Sequence, residues 1–154
     1  MKLTEVERAY IAGLIDGEGC ISGHYVGELA QLAVVVQMGS EELTKWLHSL
    51  FGGVHLLHKV ETVRTCAMWK WRINGRQCRE VLEAVYPYIR LKKEQVALAL
   101  AFVELLEQTA EPGTRVSEEV KNKRVYLVER IRSLSSVGQR KAREAAAELK
   151  AAEG

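Results

Sequence analysis

The sequence predicts an α+β fold of the order αββαββα, with four strands in one antiparallel sheet, helices on one of its faces, and further C-terminal helices. Capping signals at Thr4, Ser40 and Ser117 open helices. Each of the first two helices is followed by a pair of apolar or alternating, β-branched-rich stretches. Glycines or prolines separate the helices from what comes next.

Taken in order, Thr4 and Glu7 form a capping box that starts a helix over 5–16, which Gly17 and Gly19 are expected to break. Strands are expected over 20–25 and 29–38, around a turn at Val26, Gly27 and Glu28. In the second of them Gln31, Ala33, Val35 and Gln37 share one side, while Leu32, Val34, Val36 and Met38 share the other. Ser40, Glu41 and Glu42 open a helix that runs to about 51, where Gly52 and Gly53 end it. A second hairpin follows, with strands over 54–60 and 67–73. There Trp69, Trp71 and Ile73 alternate with Met68, Lys70 and Arg72, so burying the tryptophans turns both cations outward. Asn74 and Gln77 are expected to cap a helix to about 85, stopped by Pro87. An amphipathic helix over 92–107 is closed by Pro112 and Gly113, and Ser117 caps another over 118–133. The Ala-, Lys-, Arg- and Glu-rich tail from Gly138 is left open between a helix and a frayed end.

The two consecutive hairpins can merge into one sheet whose apolar face the helices cover. Its other face would carry His24, Gln31, Gln37, Lys70 and Arg72, with Lys59 alongside, open to a ligand. A chain of 154 residues with 47% apolar content suits a single domain over 1–154, with a core of about 5–107 and a helical part of about 117–150. No run of eighteen apolar residues occurs and the N-terminus is polar, so a soluble protein with no membrane association is expected. Cys20, Cys66 and Cys78 form neither a disulfide framework nor a zinc spacing. That favours a reducing, intracellular setting; a chloroplast, a mitochondrion and a bacterial or archaeal cytoplasm are equally compatible. His55 and His58 near Cys66 do not have the spacing of a zinc ribbon or finger. The three tryptophans read as core rather than as stacking platforms for single strands.

The net charge of +2 conceals a split. Residues 51–93 hold nine Lys and Arg against three Glu, whereas residues 1–50 hold three cations against seven acids. A block of cations suggests a surface for a polyanion, because neutralising phosphates dominates nucleic-acid affinity. Ordinary solvated charges would give the same count, so charge alone does not decide.

Residues 11–19 read IAGLIDGEG. Ala9, Gly13 and Gly17 recur every four positions and make a nearly side-chain-free stripe along which a second helix could approach closely. Asp16 and Glu18 stand at the negative end of the helix dipole, which is unfavourable unless a cation joins them. A hard cation such as Mg²⁺ takes one or two carboxylates and completes its shell with water and phosphate oxygens. Two chains paired through the stripe would bring two acids together, and the residues themselves leave Asp16 and Glu18 equally eligible as the ligand.

IAGLIDGEG resembles the LAGLIDADG signature of the homing endonucleases, with six of nine positions identical, Ile11 for the first Leu, Gly17 for the Ala and Glu18 for the second Asp. The resemblance covers roughly residues 5–107. It implies a saddle-like sheet and a homodimer of the single-motif branch, with Ala9, Gly13 and Gly17 at the interface. The implied activity is site-specific hydrolysis of both strands of a long pseudo-palindromic DNA, across the minor groove and leaving a short 3′ overhang, by an enzyme encoded in a mobile intron. The metal would be Mg²⁺, with Mn²⁺ or Ca²⁺ able to occupy the same site. The resemblance places the catalytic and metal-binding carboxylate at Glu18, where Glu replaces Asp in some members, adds the Gly17 carbonyl as a ligand, and leaves Asp16 a helix-end role. A basic residue near the scissile phosphate matches Lys92 better than Arg90. Base and backbone contacts would come from Ser22, His24, Gln31, Gln37, Lys59, Lys70 and Arg72, lying in the major groove. Where some homodimeric members carry a polar or basic pair after the second strand, this chain has Gly39, Ser40 and Thr44. Two other readings use the same scaffold: a non-cleaving nucleic-acid binder, such as an intron RNA maturase or a DNA-binding regulator, and a purely structural dimerisation module.

Overall fold

The structure, a computed structural model, describes residues 2–109 and 115–154. The expected stop at Pro112 and Gly113 lies outside the described residues. The order is α1 (Glu5–Glu18), β1 (Gly19–Val26), β2 (Leu29–Met38), α2 (Glu41–Phe51), β3 (Val54–Lys59), β4 (Met68–Asn74), a 3₁₀ turn (Gly75–Gln77), α3 (Cys78–Val85), α4 (Lys93–Gln108), α5 (Glu118–Leu134) and α6 (Ser136–Glu153). The strands form one sheet in the order β1-β2-β4-β3, every neighbouring pair antiparallel. The predicted α+β architecture is therefore the observed one, the two hairpins joining through β2 and β4.

The caps act as the sequence suggests. Thr4 and Glu7 bond reciprocally at the start of α1, and the Ser40 and Ser117 hydroxyls accept from the N–H groups of Leu43 and Val120. Two expectations at helix ends are corrected. First, α1 does not break at Gly17: an interior glycine costs a helix only about 1 kcal/mol, and α1 runs on to Glu18. It ends at Gly19, whose N–H still bonds the Ile15 carbonyl; there a Cβ would come within 2.7 Å of the Ile15 Cα. Second, neither Asn74 nor Gln77 gives α3 a side-chain cap; the 3₁₀ turn leads into it instead, and the Asn74 side chain is engaged by Arg72.

One sheet face is the core. Leu32, Val34 and Val36 of β2 and Trp71 and Ile73 of β4 are fully buried there beneath Ile11 and Ile15 of α1, Leu82 of α3 and Phe102 of α4. Each such side chain contributes about 1.5–3 kcal/mol through burial. The Trp71 indole N–H donates to the Gly52 carbonyl at 2.8 Å, so its one polar atom is satisfied in the core. Val128 and Ile131 of α5 belong to the same buried cluster. Gly23 explains how α5 gets so close to β1, since a Cβ there would lie 2.9 Å from the Val128 Cγ1. In α6 the side chains of residues 139–153 are exposed. Among the described residues no helix is long and apolar enough to cross a membrane.

Candidate functional site

The C-terminal end of α1 is tied to the start of α4 by a reciprocal clamp. The Asp16 carboxylate accepts from the backbone N–H groups of Arg90, Leu91 and Lys92 at 2.8, 3.2 and 3.0 Å. The Lys92 ammonium donates in return to the carbonyls of Ile15 and Asp16, at 2.8 and 2.6 Å. Each partner supplies what the other segment lacks: an acceptor for three backbone donors of the turn that leads into α4, and a cation for the negative end of α1. Asp16 is thereby occupied as a structural residue. Glu18, two residues on, is exposed and immediately precedes β1. Glu18 and Lys92 line one cavity of about 440 Å³, together with Gly17, Cys20, Gln95 and Gln139.

The outer side of α1 faces away from the core. Ala9, Gly13 and Gly17 are exposed, and a Cβ added at Gly13 or Gly17 would meet nothing within 4 Å. Val6 and Tyr10 flank the stripe at 79% and 52% exposure, too apolar to be left in water by preference. This chain therefore does not use the stripe to pack against itself.

Register settles which side chains share the open sheet face. Direct cross-strand partners lie on the same side, which groups Cys20, Ser22 and His24 with Gln31, Ala33, Val35 and Gln37, and these with Lys70, Arg72 and Asn74. Ser22, His24, Gln31, Gln37, Lys70 and Arg72 thus stand on one surface, as alternation predicted. Lys59 joins them for a reason alternation does not give. A register shift between Leu57 and Lys59 places Lys59 opposite Met68, on the open side. Several helical cations have carboxylate partners: Arg79 meets Glu83, Glu104 and Glu107, Lys45 meets Glu41, and Arg130 meets Glu94. Among the described residues Lys59, Lys70 and Arg72 have no carboxylate partner.

His24 also has a partner within the chain. Its Nε2 lies 3.0 Å from Nη2 of Arg72, whose Nε donates to the Asn74 Oδ1 at 2.8 Å. Desolvation first, and the Arg72 charge second, hold the imidazole below the ordinary histidine pKa of 6.5, so it is neutral and can accept.

Several site residues escape sequence reasoning. Gln95 is 8% exposed, and its amide donates to the Leu134 carbonyl at 3.3 Å; Gln139 donates to the same oxygen at 3.2 Å. These bonds gather α4, α5 and the start of α6 beside Glu18, and contacts so far apart in sequence leave no local signal. Val54 and Leu56 lie opposite Arg72 and Lys70 on the open face and are 49% and 42% exposed. Read as a strand, 54–60 offers no hint which of its apolar residues faces outward. A larger groove of about 540 Å³ between α4 and α5 contains none of these residues.

Neither a family model nor a curated protein matches the sequence. Solved structures do. The homing endonuclease I-CvuI, in complex with its target in the presence of 2 mM Ca, aligns over 86% of this chain and 83% of its own, with 20% identity and a TM-score of 0.67. The archaeal intron-encoded homing endonuclease I-Vdi141I, complexed with DNA, aligns over 86% of both chains with 14% identity and a TM-score of 0.67. The LAGLIDADG meganuclease I-AabMI, bound to uncleaved DNA, aligns over 79% of this chain but only 43% of its own, with 19% identity and a TM-score of 0.61. With the IAGLIDGEG segment forming the last turns of α1 and its acid at the entry to β1, the fold of this chain is the LAGLIDADG homing-endonuclease fold.

Proposed function

We propose that the chain is one subunit of a homodimeric, divalent-metal-dependent endonuclease that cuts both strands of double-stranded DNA at a specific, roughly two-fold-symmetric site. The observation that carries this is the continuity of one surface: unneutralised Lys59, Lys70 and Arg72 on the open sheet face, with the exposed Glu18 carboxylate where that sheet meets α1. A charged face without an acid would suit a binder; the acid at its edge suits a cutter. The similar endonucleases in complex with DNA support the same substrate.

The donor set fits a hard cation of the Mg²⁺ type. Glu18, with the Gly17 carbonyl, would hold it, and among the described residues no cluster of three ligating side chains offers a closed cage. When bound there, such a cation polarises the scissile phosphate and lowers the pKa of the attacking water. Lys92 has three N–H donors and spends two on the carbonyls of Ile15 and Asp16. Its third is left to donate to a phosphate oxygen or to orient that water. The clamp between α1 and α4 holds the Lys92 ammonium beside the helix end that carries Glu18 before DNA arrives, which removes a reorganisation cost from the reaction.

One chain supplies one such acid. Pairing two α1 helices along Ala9, Gly13 and Gly17 would bring two Glu18 side chains to the symmetry axis, one for each strand. That this chain spans under half of I-AabMI fits two copies here doing the work of one longer chain there.

The test is to incubate the protein with Mg²⁺ and a randomised plasmid library and to sequence the cut ends, beside Glu18→Gln. The wild type should leave paired cuts at a consensus site. The variant should bind that site within about threefold but cut it about 10³-fold more slowly, the value of several kcal/mol of lost transition-state stabilisation. A variant that cuts normally moves the metal elsewhere. Binding without any cut by the wild type leaves a non-cleaving nucleic-acid binder, for which intron RNA is the next substrate to try.

A further inference from the structure

Among the described residues, Arg72 is the one cation of the open face held by side chains on two sides. Its Nε–H is taken by the Asn74 Oδ1 and one N–H of Nη2 by the His24 Nε2. Between the arginine and the imidazole lies the row of Ser22, Ala33 and Asn74, where Ala33 is fully buried although it stands on this open side. A larger residue at position 33 would block Arg72 from reaching across β2 to β1. Both partners of the guanidinium are neutral acceptors, so they fix its plane without cancelling its charge. Three of its five donors remain, two of them on Nη1. A planar pair of N–H groups, one from Nη1 and one from Nη2, matches the O6 and N7 acceptors that guanine displays in the major groove, and no other base offers that pair.

We propose that Arg72 reads one guanine in each half of the DNA site, and that His24 and Asn74 are positioning residues that hold the guanidinium for it rather than base contacts of their own. This rests on the DNA-cleaving reading above and names part of the sequence that it recognises. Holding the plane in advance matters because a free arginine loses rotamer entropy when it is fixed on a base. His24 must carry its one proton on Nδ1 to accept at Nε2, which makes the imidazole a one-sided support.

The test is selection of bound duplexes from a randomised DNA library by wild type and by Arg72→Ala, His24→Ala and His24→Gln, with total affinity for nonspecific DNA measured in parallel. Wild type should show one guanine per half-site that Arg72→Ala no longer requires, the preference falling about tenfold or more. His24→Ala should weaken the preference at that same position while leaving other positions and nonspecific affinity as they were; a merely structural role would lower all of them together. His24→Gln, whose side-chain oxygen can still accept from Arg72, should restore it. Replacing that guanine by 7-deazaguanine, which lacks N7, should weaken binding by wild type and not by Arg72→Ala. Selective binding with no guanine that depends on Arg72, or equal binding of the 7-deaza site, overturns the inference and leaves the endonuclease reading standing. No binding to any duplex sinks the endonuclease reading, and this inference with it.

Discussion

The chain folds the same α-β-β unit twice, and the two copies differ most where helix meets strand. In the first, α1 passes directly into β1 through Gly17, Glu18 and Gly19, and leaves an exposed acid at the joint. In the second, α2 reaches β3 through Phe51, Gly52 and Gly53, with Gly52 in a left-handed conformation at φ 72° and no acid at all. The hairpins differ in the opposite sense. The open face of the first holds the neutral Ser22, His24, Gln31 and Gln37; that of the second holds Lys59, Lys70 and Arg72. On the proposed function, one unit would serve metal and a partner helix, the other phosphate and base. Repetition within the chain therefore supplies a second strand pair but no second acid at the joint, so the proposed two-strand cut would need another copy of the first unit.

The strongest way to break that division is at the stripe on α1. Gly13→Leu should abolish the dimer in sedimentation, and with it the linkage of two half-site contacts, so affinity for the full site should fall by about 10²-fold or more. The monomer itself should be no less stable, because Leu favours an exposed helix over Gly by about 0.5–1 kcal/mol and nothing stands within 4 Å of the added Cβ. A variant that still dimerises, or one whose monomer loses several kcal/mol, would show that the stripe belongs to this chain's own packing.

The clamp is the next place to press, since it distinguishes the first unit's joint from the second's. Asp16→Ala leaves three N–H groups of the turn leading into α4 without their acceptor. It should cost about 1–2 kcal/mol in urea denaturation, in the range of a lost helix cap. It should also slow cleavage more than it weakens binding, because Lys92 loses its fixed backbone while the sheet is untouched. Equal stability of variant and wild type would reduce the clamp to an incidental contact.

What the sequence reveals of these arrangements follows the range of the interactions. Thr4 with Glu7, Ser40 and Ser117 announce helix starts because a cap is a contact over three residues. The Trp and Lys alternation in β4 gives the two faces because strand geometry alternates without help from the rest of the fold. Gly17 misleads, since the propensity of a single glycine is weaker than the packing of Ile11 and Ile15 in the core. The clamp spans 74 to 77 residues and the His24–Arg72 contact spans 48, so neither has a local trace. Lys59 reached the expected face only because β3 slips by one residue, which no periodicity encodes.

The smallest expected effect concerns the one side-chain bond that, among the described residues, joins the open faces of the two units. Within the fold His24 protonates below pH 6.5, because its ring is desolvated and Arg72 stands beside it. The unfolded chain takes up that proton at a higher pH than the folded one, so in the interval below pH 6.5 the unfolded state binds more protons. The stabilisation from the neutral ring is then complete above that pH and is lost progressively as the pH falls towards the folded value. Urea denaturation at pH 7.5 and 5.5 should show a slight loss for wild type that is absent in His24→Gln, whose amide cannot titrate. Identical pH dependence in the two proteins would mean that the imidazole is not held neutral against Arg72, and that the first unit lends the second no support across the sheet.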